Sequence, residues 1–166
     1  LSNNCIVPLP LNLVSAYNRT SAESLIANAT EGEKAQYYFV KGNALLDLAN
    51  KKVEEVKNLS SAAKSYSDLL VVEKTSGKDK FSAQAQTSIT TIKDKLVNLA
   101  IDKQANSKFK EASELLYQVY ELDKKDLSKL YFAATYAKYD KEYDSALAYY
   151  GELKKQNFTG EEIQYF

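Results

Sequence analysis

Two stretches of this chain repeat one pattern of apolar residues at a fixed offset of 34 residues. The matching residues are, in order, Phe109, Ala112, Leu116 and Val119 in the first stretch and Tyr143, Ala146, Tyr150 and Leu153 in the second. Within each stretch they are three or four positions apart, so each set forms one face of an α-helix. A pattern repeated at this distance indicates repeated helical units that pack on one another.

Each repeated stretch is preceded by another small residue. Ala100 and Ala134 lie 12 residues before Ala112 and Ala146, with Leu96 and Leu130 four residues earlier again. Small residues in both helices of a unit allow them to approach closely, while large apolar residues fill the space around them. We therefore expect seven residues to be largely buried: Phe109, Ala112, Leu116, Val119, Tyr143, Ala146 and Tyr150.

The first half of the chain carries a longer version of the same unit. Five residues match Phe109, Ala112, Leu116, Val119 and Leu122 at an offset of 50 residues: Leu59, Ala62, Tyr66, Leu69 and Val72. Gly42 stands in this unit where Ala100 and Ala134 stand later, on a stripe with Tyr38, Leu45 and Ala49. Because glycine inside a helix costs about 1 kcal/mol relative to alanine, Gly42 predicts a close approach of two helices.

Capping and turn residues predict where the helices begin and end. Thr30 with Glu33 reads as a capping box, and Thr20 with Glu23 and Thr159 with Glu162 repeat this signal. Residues 74–80 are expected to form a loop around Gly77, residues 105–107 a tight turn, and residues 123–126 a link. A long amphipathic helix lies between the first two of these, with the apolar stripe Phe81, Ala85, Ile89, Ile92, Leu96 and Leu99.

The runs "SKFKEASELLYQVYELDKKD" and "LYFAATYAKYDKEYDSALAYYGEL" resemble tetratricopeptide repeats. The sequence departs from that family at Lys103 and Ala137, where an aromatic residue is usual, and at Lys124, where the family has proline. The resemblance implies an all-α fold, a right-handed superhelical array of antiparallel helical hairpins. It further implies one helical domain over residues 20–166, with repeats at about 31–75, 79–123 and 126–156 and then the start of a terminal helix.

In the tetratricopeptide family, the concave face of the array binds a peptide or protein segment. Carried over by register, the positions that line this groove are Phe39, Asn43, Leu46, Val97, Ile101, Gln104, Tyr131, Thr135 and Lys138. Asn43 matches an asparagine that some members of the family use to hold a peptide backbone. Members that bind a free C-terminus also place a lysine four residues before this asparagine, and Phe39 stands at that position here. The resemblance therefore implies a hydrophobic or extended segment as the partner. A structural subunit that self-associates through its helical edges is the alternative, and an enzyme or small-ligand carrier is a third hypothesis.

The 13 tyrosines are a further excess in the composition. Tyr131, Tyr139 and Tyr149 fall outside the apolar stripe of their helices. Tyrosine offers a large contact area at low entropic cost and is enriched at protein interfaces. These three residues are therefore candidates for contacting a partner.

Composition gives no support to catalysis. The chain has no histidine, one cysteine and five scattered glycines, so it offers no imidazole base, no cysteine-based metal cluster and no glycine-rich phosphate loop. We expect a protein that is not an enzyme and holds no cofactor and no metal. Lys plus Arg and Asp plus Glu both number 22, so the net charge of zero favours neither nucleic acid nor membrane, and we expect no membrane insertion.

Residues 1–19 differ from the rest, because both prolines, Pro8 and Pro10, fall there among apolar residues. This spacing opposes a helix and favours an extended arm, with a lipid anchor at Cys5 as the alternative. The chain opens on Leu1, so the sequence is either processed or part of something longer. From residue 20 onward, "EKAQYYFVKGNALLDLA" and the later repeats also resemble tetratricopeptide proteins of Bacteroidetes envelopes. That resemblance implies a periplasmic or envelope-associated protein, with the cytoplasm as the alternative.

Overall fold

A computed structural model describes residues 26–159 of the chain and contains six α-helices between residues 31 and 155. In chain order they are α1 (Glu31–Asn50), α2 (Glu55–Ser76), α3 (Ser82–Ala105), α4 (Phe109–Leu122), α5 (Leu127–Tyr139) and α6 (Tyr143–Lys155). No strand occurs in the part of the chain that is described, so the all-α prediction is confirmed. The predicted arm at residues 1–19, the capping box at residues 20–23 and the predicted helix start at residues 160–166 lie outside the described residues.

The first helix begins at the predicted capping box. The backbone N–H of Glu33 donates to Oγ1 of Thr30 at 3.3 Å, and the backbone N–H of Thr30 donates to the Glu33 carboxylate at 2.8 Å. The hydroxyl of Thr30 also donates to the Glu33 carboxylate at 2.7 Å, and this bond, followed by the backbone one, lowers the pKa of the Glu33 carboxyl. Two N–H groups that the helix leaves unpaired are thus satisfied by one threonine and one glutamate.

Helix α2 runs further than the sequence indicated. Its last turn includes Lys74 and Ser76, so the loop begins at Gly77 and the predicted loop start at residue 74 is wrong. Gly77 ends the helix because it adopts a left-handed conformation, with φ of 67°, that glycine reaches without strain. The N–H of Lys78 then donates to the carbonyl of Glu73 at 2.9 Å and closes the turn.

Helices that follow one another in sequence pack together, and the start of α1 lies beside the end of α2. Gly42 of α1 is buried directly against the ring of Tyr66 of α2, which confirms the predicted close approach. The short links between the remaining helices return the chain along the previous helix each time. Helical hairpins are therefore the building units of the fold.

Helices two apart in sequence also touch, and the even-numbered helices lie side by side. Ser60 of α2 donates from Oγ to Oε1 of Gln118 of α4 at 2.6 Å. The rings of Tyr117 of α4 and Tyr149 of α6 stack with centroids 4.5 Å apart. Contacts of this kind bring α2 beside α4 and α4 beside α6.

The odd-numbered helices also meet at a few side chains. The ring of Phe39 in α1 stacks on that of Phe81, immediately before α3, with centroids 4.6 Å apart and planes 16° from parallel. Helices α3 and α5 share the walls of an apolar cavity. The core forms two clusters of buried side chains, bridged by the half-buried Tyr117 and Tyr149.

Burial confirms most of the predicted core of the repeats. Five of the seven residues expected to be buried are at most 6% exposed: Ala112, Leu116, Val119, Ala146 and Tyr150. Phe109 is half-buried, and the prediction for Tyr143 is wrong because its side chain is 59% exposed. The reason is positional. Helix α5 covers Phe109 with the rings of Tyr136 and Tyr139, and no described helix follows α6 to cover Tyr143 in the same way.

Candidate binding groove

An apolar cavity of about 230 Å³ lies between α3 and α5. We call it the α3–α5 groove. Its walls are Val97, Ala100 and Ile101 from α3, Leu116 from α4, and Lys129, Phe132 and Tyr136 from α5. Ile101 is 57% exposed and Phe132 is 45% exposed, so two large apolar side chains face solvent on opposite walls. Apolar side chains exposed together around a concavity are typical of sites that bind another apolar group.

The apolar surface continues past the edge of the groove as a row of four aromatic rings, which we call the aromatic strip. Phe132 and Tyr136 belong both to the groove wall and to the strip, and Phe109 and Tyr139 extend the strip further. The ring centroid of Tyr136 lies 6.3 Å from that of Phe132, 6.5 Å from that of Tyr139 and 6.0 Å from that of Phe109. These separations fall in the range where aromatic rings attract one another. The strip therefore gives the groove a continuous wall of rings, and Tyr139 at its end is 57% exposed.

The sides of α5 that do not carry the aromatic strip pack closely on neighbouring helices and so fix the position of the strip. Phe132, Tyr136 and Tyr139 recur at helical spacing on one face of α5. On other faces, Ala133, Ala134 and Ala137 are at most 1% exposed and bring the α5 backbone close to its neighbours. The contact is near enough that Ser113 of α4 donates from Oγ to the carbonyl of Ala133 at 2.7 Å. Small residues thus anchor the helix while its aromatic residues stay available.

Charged groups near the groove are paired within the chain. Lys129, on the groove wall, lies 3.3 Å from a carboxylate oxygen of Asp126. Lys103, in the last turn of α3, forms an ion pair with Glu111 of α4. The hydrogen bond between these two side chains raises the pKa of Lys103 and lowers the pKa of Glu111, so each partner favours the charged form of the other. The paired charges leave the apolar side chains as the principal surface offered to a ligand.

The groove residues predicted for the first repeat make contacts with other residues of the chain. Phe39 stacks on Phe81, and Leu46 is half-buried against the first core cluster. Asn43 accepts a hydrogen bond at its Oδ1 from the Tyr66 hydroxyl at 2.7 Å. That oxygen is therefore committed to the contact between α1 and α2.

The groove residues predicted for the other two repeats are separated by the structure. Val97 and Ile101 line the α3–α5 groove, and Gln104 is exposed near the end of α3. Tyr131 instead packs on Phe158 beyond α6, with ring centroids 5.7 Å apart. Thr135 is only 9% exposed, and its hydroxyl lies 3.4 Å from that of Tyr150. Tyr131 and Thr135 thus lie outside the α3–α5 groove, and the expectation that they line one concave surface with Val97 and Ile101 stays a prediction. Lys138 of α5 is half-buried.

Phe132 and Tyr136 were missed as groove residues. They follow Tyr131 and Thr135 directly, so the wall of the groove uses the next register along α5. The 34-residue offset explains this shift, because it makes Tyr131 and Thr135 equivalent to Val97 and Ile101. Equivalent residues of two helices in an array face the same direction, and therefore α5 turns a different face toward α3. The spacing of Phe132, Tyr136 and Tyr139 was the signal in the sequence.

Two larger cavities, of about 350 and 400 Å³, lie on the surfaces of α1 and α2. The first has Glu31, Glu33, Lys78 and Lys80 in its wall, and the second is lined largely by charged and polar side chains. These walls mix charges of both signs, and their polar and apolar areas are of similar size, whereas the wall of the α3–α5 groove is mostly apolar. The smaller α3–α5 groove is chemically the more distinctive site.

Neither a metal cluster nor a membrane span occurs in the described part of the chain. Residues 26–159 contain no cluster of three or more His, Cys, Asp or Glu side chains with the geometry to hold a metal ion. Over the same residues, no helix combines the length and apolar character that crossing a bilayer requires.

Comparison with known proteins adds no relative: no protein-family model, curated protein or solved structure matches this chain.

Proposed function

We propose that this protein is an interaction module that binds an apolar segment of another protein in the α3–α5 groove. The observation that carries the proposal is the pairing of Ile101 and Phe132, two exposed apolar side chains on the walls of one cavity. Exposing such side chains is unfavourable in water, and a partner that covers them gains the free energy of their burial.

The arrangement of the helices supports the same proposal. Two layers of alternating helices, with successive hairpins side by side, are what a superhelical array of tetratricopeptide-like repeats requires. In such an array a groove between neighbouring helices of one layer is repeated along the molecule. We include the right-handed superhelix and the three repeats in the proposal.

The chemistry of the groove defines its partner as a short segment with aromatic or aliphatic side chains. Its cavity of about 230 Å³ is smaller than the ~300–1,000 Å³ of typical small-molecule sites, and it is open along the aromatic strip. It holds one or two large side chains, while the rings of Tyr136 and Tyr139 contact the rest of the segment. Ring hydroxyls at the edge of an apolar surface also supply hydrogen bonds to a peptide backbone.

Selection of peptides from a random display library on the immobilised protein tests the proposal. The selected peptides should carry aromatic or aliphatic residues, and Ile101→Asp or Phe132→Asp should weaken their binding by about tenfold or more, because each places a charge in the groove. Val71→Asp is the matched control, since Val71 is a 62% exposed apolar residue on α2, outside the groove. Equal binding to wild type and to both groove variants would overturn the proposal. So would a selection that enriches no peptide relative to the Ile101→Asp/Phe132→Asp double variant.

A further inference from the structure

Three residues of the α3–α5 groove differ in character from their equivalents in the other two repeats. Gly42 of α1 aligns with Ala100 of α3, and the offset of 34 residues aligns α3 with α5 and α4 with α6. The offset of 50 residues aligns α2 with α4. On this alignment the equivalents of Val97 are Phe39 and Tyr131, those of Ile101 are Asn43 and Thr135, and those of Leu116 are Tyr66 and Tyr150. The middle repeat is thus aliphatic at three positions where the flanking repeats are aromatic or polar.

Two of these positions are joined by a polar contact in each flanking repeat. The Tyr66 hydroxyl donates to Oδ1 of Asn43 at 2.7 Å, and the Tyr150 hydroxyl lies 3.4 Å from Oγ1 of Thr135. The aliphatic pair of the middle repeat forms no such bond, and its α3 member, Ile101, is 57% exposed on the groove wall. A side chain that is tied to the neighbouring helix in the flanking repeats is therefore available to a ligand in the middle one.

The remaining position carries a ring in each flanking repeat, and a second ring of the chain packs on it. Phe39 stacks on Phe81 with ring centroids 4.6 Å apart, and Tyr131 packs on Phe158 with centroids 5.7 Å apart. Both covering rings come from the segment that follows the second helix of the same repeat. The described chain therefore shows twice that an aromatic ring fits beside this position.

The segment that follows α4 supplies no such ring. Residues 123–126 are all charged, and Lys124, which corresponds to Phe158 at the 34-residue offset, lies over the ring of Tyr120 with Nζ 4.6 Å from its centroid. The space beside Val97 consequently stays open as part of the α3–α5 groove. The groove is thus the place where the chain leaves out a ring that it provides in both flanking repeats.

The walls of the groove suit an aromatic side chain. They are aliphatic on the side of α3 and α4 and carry the rings of Phe132 and Tyr136 on the side of α5. A flat ring placed between these walls buries its faces and gains ring–ring attraction beyond the effect of buried area. The charged residue of the wall, Lys129, is already paired with Asp126 at 3.3 Å, so charge does not select an acidic residue instead.

We propose that an aromatic side chain of the partner anchors it in the α3–α5 groove, taking beside Val97 the place that Phe81 takes beside Phe39. This inference rests on the proposed function and narrows the partner from an apolar segment to one that carries an aromatic anchor. Val97, Ile101 and Leu116 determine the specificity, because the repeats that lack this aliphatic set fill the equivalent space with their own rings or tie it up in a polar contact.

Titration of the protein with blocked amino acids, followed by NMR of isotope-labelled methyl groups, tests the inference. The probes are N-acetyl-phenylalaninamide and N-acetyl-cyclohexylalaninamide, whose rings are similar in size although only the first is aromatic and the second is the more hydrophobic. Both should shift the methyl resonances of Val97 and Ile101, and the aromatic probe should bind about threefold or more tightly. Phe132→Leu should abolish that preference, because it keeps an apolar wall without the ring. Tyr143→Leu is the matched control, since it removes a 59% exposed ring outside the groove and should keep the preference.

The failure of this inference is distinguishable from the failure of the proposed function. Equal or tighter binding of the cyclohexyl probe would overturn the aromatic anchor and leave the apolar-segment proposal standing. So would a preference for the aromatic probe that survives Phe132→Leu. Methyl shifts confined to residues outside the groove, or no shift with either probe up to its solubility limit, would overturn both proposals. Shifts that depend on protein concentration alone, together with a dimer in sedimentation, would assign the groove to a second copy.

Discussion

A Cβ atom added at Gly42 would lie 2.7 Å from Cε1 of Tyr66, closer than two carbon atoms can approach without something moving. The ring cannot easily move, because Tyr66 is fully buried and its hydroxyl donates to Asn43 at 2.7 Å. The desolvation that accompanies this burial raises the pKa of the Tyr66 hydroxyl. Glycine is therefore required at position 42 by contact between helices, even though it weakens the helix in which it lies.

The first prediction is that Gly42→Ala lowers the free energy of unfolding. Alanine improves helix propensity by about 1 kcal/mol, but overpacking a tight core site costs about 1–3 kcal/mol, so we expect a net loss. Gly151→Ala is the matched control, since Gly151 is helical in α6 and a Cβ there meets nothing within 4 Å. Urea unfolding of both variants measures the difference. A stabilised Gly42→Ala protein would show that α1 and α2 can move apart far enough to make room for the added methyl group.

The second prediction concerns Ala112, a small residue in the first turn of α4. Its side chain is fully buried, so Ala112→Leu should cost about 1–3 kcal/mol of stability through overpacking. Ala44→Leu in α1 makes the same chemical change at an exposed position and should be near neutral. Thermal unfolding monitored by circular dichroism compares the two. An unchanged melting curve for Ala112→Leu would contradict the repeat register on which the predicted core depends.

The helices and most of their buried faces could be predicted from the sequence, because both depend on local spacing. The capping box at Thr30 and the stripe of α3 from Ala85 to Leu96 are of this kind, and each is found as expected. The all-α class follows from the same signals. A three- or four-residue period determines which face is buried whatever the neighbouring helix is.

The walls of the groove could not be predicted in the same way, because they depend on which helices become neighbours. Val97 and Ile101, which the register singled out on α3, line the α3–α5 groove, but Phe132 and Tyr136 face them only because α5 approaches from the other side. Likewise, the periodicity marks Tyr143 as a core residue, and its exposure reflects the lack of a described helix beyond α6. Local patterns determine faces, and tertiary neighbours determine which faces form a site.

The third prediction concerns the ion pair that joins α3 to the link after α4. Lys93 lies 2.7 Å from a carboxylate oxygen of Asp123, and its hydrogen bond is the main cause that lowers the pKa of Asp123 below the usual value of 3.8. A carboxyl with a lowered pKa in the folded state adds stability above its unfolded pKa, and the contribution is lost as pH falls from about 4 through the folded value. Because both side chains are partly exposed, we expect less than about 1 kcal/mol.

Lys93→Met should remove that contribution. The variant should lose stability at pH 7 relative to wild type, and the difference between the two proteins should shrink as the pH is lowered from 4 to 2. Lys64→Met serves as the control, because Lys64 and Asp68 are 3.6 Å apart on the surface of one helix. Urea unfolding at several pH values measures both differences. A deficit in Lys93→Met that is independent of pH would show that the lysine contributes through packing and not through charge.

The last prediction concerns Glu73, a carboxylate that is 2% exposed near the end of α2. It accepts hydrogen bonds from the backbone N–H of Phe81 at 2.9 and 3.1 Å and from Oγ of Ser82 at 2.6 Å. The N-cap residue of α3, Phe81, makes no side-chain capping bond, so the glutamate of the preceding helix performs that task from across the loop. One buried side chain thus joins the end of α2 to the start of α3.

Glu73→Ala should therefore destabilise the protein by about 1–3 kcal/mol, since it leaves the half-buried N–H of Phe81 and the half-buried hydroxyl of Ser82 without their acceptor. Glu73→Gln keeps the shape and one acceptor oxygen, so its loss should be smaller. Hydrogen exchange should show the effect first at the amide of Ala85, which donates to the Phe81 carbonyl, and at the amides that follow it in α3, while the amides of α5 keep their protection. If the two variants had the same stability as wild type, the carboxylate would not be the cap of α3, and the orientation of α2 against α3 would have to come from their apolar faces alone.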